Sequence, residues 1–174
     1  VEDIKKFLDY NVVSPNAMVR GNYGGVFAID FTLNKFDIKT MINWKLYFRI
    51  SCMSLSLFWV IKYRYHFLEG ALILLCAFFI CYPVIWEHHY SALITLSVFW
   101  LATNLQKPFW LLGLIICFSL PTLFYFLDGF KSPLHYKNLE QWSLLQHFLD
   151  ISLKIIPVIC LFFFFIVKDD FTNK

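Results

Sequence analysis

Polar residues divide this chain into long apolar runs. Four of them cover residues 46–61, 68–85, 109–127 and 148–167, each near the ~20 residues with which a helix crosses ~30 Å of hydrocarbon. A fifth run, 90–103, is shorter and predicts a short or tilted span. Period-two alternation is absent from these Leu, Ile and Phe runs, and backbone groups in hydrocarbon must bond within their own segment, so helices are predicted and barrel strands are not. Residues 23–33 are apolar as well, but Asp30 and the glycines Gly21, Gly24 and Gly25 predict a membrane-surface or re-entrant helix there. The expected fold class is therefore all-α: a polytopic transmembrane helical bundle of about five spans plus an N-terminal surface or re-entrant helix. It divides into an extracytoplasmic or membrane-surface segment (1–45), the bundle (46–167) and a cytoplasmic tail (168–174).

Composition agrees with that pattern. Of 174 residues, 59% are hydrophobic and 21% aromatic, more apolar surface than one soluble core of this length can bury. The surplus is expected to face membrane lipid. A net charge of +3, with basic residues scattered through loops, argues against nucleic acid as a partner. The five cysteines (Cys52, Cys76, Cys81, Cys117, Cys160) lie inside apolar runs without metal-ligand spacing and read as small core or lipid-facing residues. No cofactor is called for.

Orientation follows from the short loops. Lys62 and Arg64, the Gln106-Lys107 turn, and the tail with Lys168 and Lys174 place one side in the cytoplasm. The turn at Glu87-His88-His89 has no Lys or Arg and falls on the extracytoplasmic or lumenal side. Lys35, Lys39 and Lys45 before the first clear span run against this assignment. The opening Val1-Glu2-Asp3-Ile4-Lys5-Lys6 resembles no leader, so the chain is expected to be the C-terminal part of a longer protein.

The stretch Pro83-Val84-Ile85-Trp86-Glu87-His88-His89-Tyr90 carries the candidate chemistry, since it sets an acid and two imidazoles between two apolar segments. Three readings compete. In the first, the polar groups cap a helical hairpin in interfacial water, with Trp86 and Tyr90 as anchors. In the second they hold a metal, but adjacent helical residues point about 100° apart and no HxxH, HxxxH or ExxH partner is present, so no metal site is assigned. In the third, the junction lines a polar cavity for an anionic headgroup. His donates two hydrogen bonds when protonated, Glu87 can hold a sugar hydroxyl, and Pro83 ends the incoming helix and frees backbone groups near the turn.

Residues 74–96, centred on Tyr82-Pro83-Val84-Ile85-Trp86-Glu87-His88-His89-Tyr90, resemble the S-P-I-S-W-E-H-H junction of glycosyltransferase family 87. These polytopic GT-C enzymes use polyprenyl-phosphate sugars. Pro83, Trp86, Glu87, His88 and His89 match, while Tyr82 and Ile85 replace the serines. Upstream, Ser14-Pro15-Asn16-Ala17-Met18-Val19-Arg20 is similar to the N-Q-S-L…R segment of the family, with Asn16 and Arg20 carried over. The resemblance implies transfer of a mannose-like hexose from a polyprenyl-phosphate donor to the hydroxyl of a glycolipid or glycan acceptor on the extracytoplasmic side. His88, His89 and Glu87 would be catalytic, and Trp86, Tyr90, Arg20 and Asn16 substrate-binding. The family's acidic base lies in the first extracytoplasmic loop. Nothing here sits in that context, so the base is expected upstream of residue 1.

The alternative is a non-catalytic membrane subunit or scaffold of a larger complex, and a transporter ranks last for want of an internal repeat. Outside the junction, Arg49 and Lys154 read as snorkelling cations with carrier phosphate as their second option. Glu69 reads as an acid in the first turn of a helix, favoured by the dipole.

Overall fold

The structure, a computed structural model, describes residues 24–38, 43–82, 85, 89–104, 109–120, 145 and 152–172. Among them lie six α-helices and no strand: α1 (Gly25–Lys35), α2 (Trp44–Tyr63), α3 (Phe67–Cys81), α4 (Tyr90–Thr103), α5 (Phe109–Ser119) and α6 (Leu153–Thr172). The all-α class expected from the apolar runs is what the chain adopts.

Local chemistry explains the helix ends. α3 stops at Cys81 because Tyr82 precedes Pro83, whose ring excludes helical backbone from its predecessor; Tyr82 is extended at φ −73°, ψ 141°. α4 stops where the Asn104 side-chain amide donates to the Trp100 carbonyl at 2.8 Å. α2 turns into α3 through only three residues, with Arg64 in the left-handed region at φ 49° donating its N–H to the Ile61 carbonyl. So short a connection makes α2 and α3 an antiparallel pair. Along the helices, Thr32, Ser56 and Thr95 return their hydroxyls to carbonyls four residues back, which satisfies them where the surroundings are apolar.

α3 is the central element. It packs against α1, α2, α4 and α6, while α5 closes the bundle against α4 and α6. Leu72, Ile73, Cys76 and Ala77 of α3 are wholly buried, with Leu93 of α4 and Val158 of α6. Two glycines set how closely its neighbours approach. A Cβ on Gly25 of α1 would lie 2.5 Å from the Ile80 carbonyl oxygen, and one on Gly70 of α3 would lie 3.1 Å from Val60 Cγ1 of α2. An ion pair, Lys45 Nζ to Asp30 Oδ2 at 2.7 Å, ties α1 to the start of α2.

The expected spans and the helices differ in length. Among the described residues no helix is long and apolar enough to cross a membrane. α3 covers 15 residues, about 22 Å at 1.5 Å per residue, against ~30 Å of hydrocarbon. The two 20-residue helices are long enough but charged, with Lys45, Arg49 and Lys62 in α2 and Lys154, Lys168, Asp169 and Asp170 in α6. The expected surface or re-entrant helix at 23–33 is α1, which docks on α3 through Gly25. α6 runs on to Thr172, past the expected start of the tail at 168.

Replacing Gly25 by Ala forces α1 off the Ile80 backbone and is expected to destabilise the fold by about 1–3 kcal/mol, the usual cost of overpacking. Gly113 of α5, where a Cβ meets nothing within 4 Å, serves as the control. Gly113→Ala should raise stability slightly through helix propensity. Thermal unfolding of both variants checks the pair, and equal shifts would show that α1 docking is unimportant.

Candidate functional site

Four helix ends meet around Tyr90: the C-termini of α3 and α5 and the N-termini of α4 and α6. Tyr90, the first residue of α4, is the pivot. Its ring is 1% exposed, stands edge-on to Phe79 of α3 at 4.6 Å between centroids, and tilts against Phe118 of α5 at 6.2 Å. His89 immediately precedes it with helical backbone (φ −64°, ψ −29°) and is partly buried. Ile85 is wholly buried in the same core.

The cation at this end is Lys154 of α6. It is 3% exposed, donates from Nζ to the Leu120 carbonyl at 2.8 Å, and holds Nζ 5.5 Å from the centroid of the Tyr90 ring. An ammonium is well placed there, because the carbonyls at the end of α5 carry the negative end of its dipole and an aromatic face attracts a cation. Lys154 therefore turns into the bundle rather than snorkelling outward. Its position follows from the stripe it belongs to, since Val158, Leu161 and Phe165 lie four, seven and eleven residues on and are all buried.

The structure thus brings Tyr90, next in sequence to His89, together with Lys154. Tyr90 serves as a core residue, with its ring enclosed by Phe79, Phe118 and the Lys154 side chain. Trp86, Glu87, His88, Asn16 and Arg20 lie outside the described residues. Arg49 is only partly buried, yet its Nε is shielded and has no hydrogen-bond partner. Among the described residues no group of three or more His, Cys, Asp or Glu gathers to hold a metal ion.

The opposite end of the bundle holds an acid. Glu69, in the first turn of α3 as its position predicts, is 8% exposed and accepts from Trp100 Nε1 of α4 at 3.1 Å. Beside it the Tyr65 hydroxyl accepts from Trp59 Nε1 at 3.1 Å and donates to the Ile166 carbonyl at 3.0 Å. Trp100 stands edge-on to Phe164 and Phe165 of α6. A shallow apolar cleft of about 270 Å³ separates α1 from α6, lined by Gly25, Ala28, Ile80, Ile155 and Ile159 among others.

Neither a protein-family model, nor a curated protein, nor a solved structure matches the chain.

Lys154→Met keeps most of the buried stem and removes the donor, so the Leu120 carbonyl loses its partner. A loss of about 1–3 kcal/mol is expected. Tyr90→Leu removes the ring beneath the ammonium, and a double-mutant cycle of the two should give a coupling of roughly 0.5–2 kcal/mol. Additive effects in thermal unfolding would mean that ring and ammonium do not interact.

Proposed function

We propose that this bundle is embedded in a membrane, with its Glu-His-His junction facing the extracytoplasmic side, and that it serves a GT-C type transfer of a hexose from a polyprenyl-phosphate carrier to an acceptor hydroxyl. The observation that carries the reading is the inward Lys154, whose ammonium lies against Tyr90, next in sequence to His89. Transfer from a lipid phosphate requires donors and positive charge at the departing phosphate. Lys154 and His89 are at one end of the bundle, and His88 and Glu87 precede His89 in sequence. In this reading the imidazoles donate to phosphate oxygens and Lys154 supplies fixed charge behind them. Glu87 holds a hydroxyl of the sugar or the acceptor, and Trp86, Arg20 and Asn16 complete the binding set. The W-E-H-H resemblance to family 87 supports the same assignment.

Membrane embedding is supported by the outward faces of the helices. On α2, Leu46, Tyr47, Ile50, Leu55, Leu57, Phe58 and Ile61 are exposed, and on α5, Phe109, Trp110, Leu112 and Ile116. Contiguous apolar faces of that extent are costly in water and ordinary against lipid. Helices shorter than the bilayer are accommodated by local thinning and by snorkelling of flanking cations such as Lys45 and Lys62.

One observation favours the non-catalytic alternative, a membrane scaffold. The Lys154 ammonium already has a carbonyl acceptor, as a purely structural strap would. Transfer assays on the full-length protein with a radiolabelled polyprenyl-phosphate sugar separate the two readings. In the enzyme, His88→Ala and His89→Ala should each lower turnover about 100-fold or more, the scale of losing one transition-state donor. Full activity in both variants would leave the scaffold reading in place.

A further inference from the structure

Two of the five cysteines are not isolated packing residues. Cys52 of α2, which packs against the buried core, and Cys81, the last residue of α3 and itself buried, come to nearly one level of the first helical hairpin. Hairpin register accounts for the meeting. Val60 lies opposite Gly70; from that level Cys52 is eight residues back along α2 and Cys81 eleven residues on along α3, an axial offset of roughly 4.5 Å at 1.5 Å per residue. Helical Cβ atoms tilt toward the N-terminus of their own helix. In an antiparallel pair Cys52 therefore leans toward the junction and Cys81 leans back from it, so the tilts close the offset.

Access and charge are also in place. Cys81 is 3% exposed, but Cys52 is only partly buried and can be reached first. The Arg49 guanidinium stands one turn before Cys52 on α2. Cys76, by contrast, is wholly buried.

We propose that Cys52 and Cys81 form an oxidisable dithiol, a redox modification site that closes into a disulfide and staples α2 to α3 at the junction end of the bundle. This inference rests on the hairpin alone and not on the sugar-transfer reading. The oxidant is a disulfide, free or carried by an oxidoreductase. The Cys52 thiolate attacks one sulfur of it, a first thiol leaves, and a mixed disulfide forms. The Cys81 thiolate then attacks Cys52, a second thiol leaves, and the Cys52–Cys81 bond remains. Two protons and two electrons pass to the oxidant, which departs as two thiols.

The test uses the full-length protein in detergent. It is treated with oxidised glutathione and, in parallel, with the small membrane-permeant oxidant diamide, which takes up the same two protons and two electrons. The protein is then denatured, alkylated and peptide-mapped without reduction. Of the five cysteines of residues 1–174, the alkylatable ones are expected to fall to three, with one peptide pair joining Cys52 to Cys81. Cys76→Ala should leave that result unchanged, and in Cys52→Ser all four remaining thiols should stay alkylatable. Five free thiols after both oxidants, or a linkage to Cys76 in place of Cys81, would overturn the proposal.

Discussion

A helix packed by neighbours on every side can keep polar groups only at its ends, and α3 is such a helix. In its middle, Leu72, Ile73, Cys76 and Ala77 have no exposed surface, and Leu74 and Leu75 between them are only partly exposed. A polar side chain reaching that depth without a partner would lose several kcal/mol of hydration, roughly 2–7 for a neutral group. The partners are accordingly at the two ends. Glu69 meets the indole of Trp100 at one, and Lys154 meets the Leu120 carbonyl and the Tyr90 ring at the other. The two glycines belong to the same constraint. Gly25 and Gly70 let α1 and α2 come close enough to seal α3, and without them its flanks would open.

The two ends differ in kind. The Glu69 end holds the Trp100–Glu69 contact between α4 and α3, and the Tyr65 phenol between Trp59 of α2 and the Ile166 carbonyl of α6. Each contact there joins two elements, as expected of groups that fix helix register. The Lys154 end holds a cation by position. A carbonyl dipole and a ring quadrupole keep the ammonium in place, and both are weaker hosts than a phosphate oxygen would be. An anion arriving at that end meets an ammonium already desolvated and oriented. For this reason candidate chemistry is assigned to the Lys154 end even though both ends contain a buried ionisable group.

Much of the helical order was legible in the apolar runs. The run 90–103 coincides with α4, 46–61 lies within α2, and 68–85 became α3 once Pro83 had ended it at Cys81. What the runs did not carry was helix length measured against a bilayer, because hydropathy counts apolar residues whether or not one helix contains them all. Nor did they tell which way Lys154 points. In α6 nearly every position from 155 to 167 is apolar, so no polar face marks the outside, and a lone cation reads as a snorkelling one. Tyr90 was misleading for a related reason. An aromatic ring beside a charged pair looks the same whether it anchors an interface or fills a core, and only contact with Phe79 and Phe118 distinguishes them.

That difficulty points to a different way of reading such chains. Where the outer faces are themselves apolar, as with Phe58 and Ile61 of α2 or Ile116 of α5, hydrophobicity no longer separates inside from outside. The rare polar residue in helical register with large apolar ones becomes the better marker of the packed face. Glu69 leads the stripe Leu72, Ile73, Cys76, Ile80. Ser97 stands between Leu93 and Trp100, and Lys154 leads Val158, Leu161, Phe165; all three polar residues are buried. A polar group facing apolar surroundings has nothing to bond, whereas Glu69 and Lys154, facing neighbouring helices, find an indole, a carbonyl and a ring. The two buried ionisable residues thus mark the interior of the bundle from its opposite ends, while an exposed hydroxyl such as that of Thr95 bonds back to its own helix.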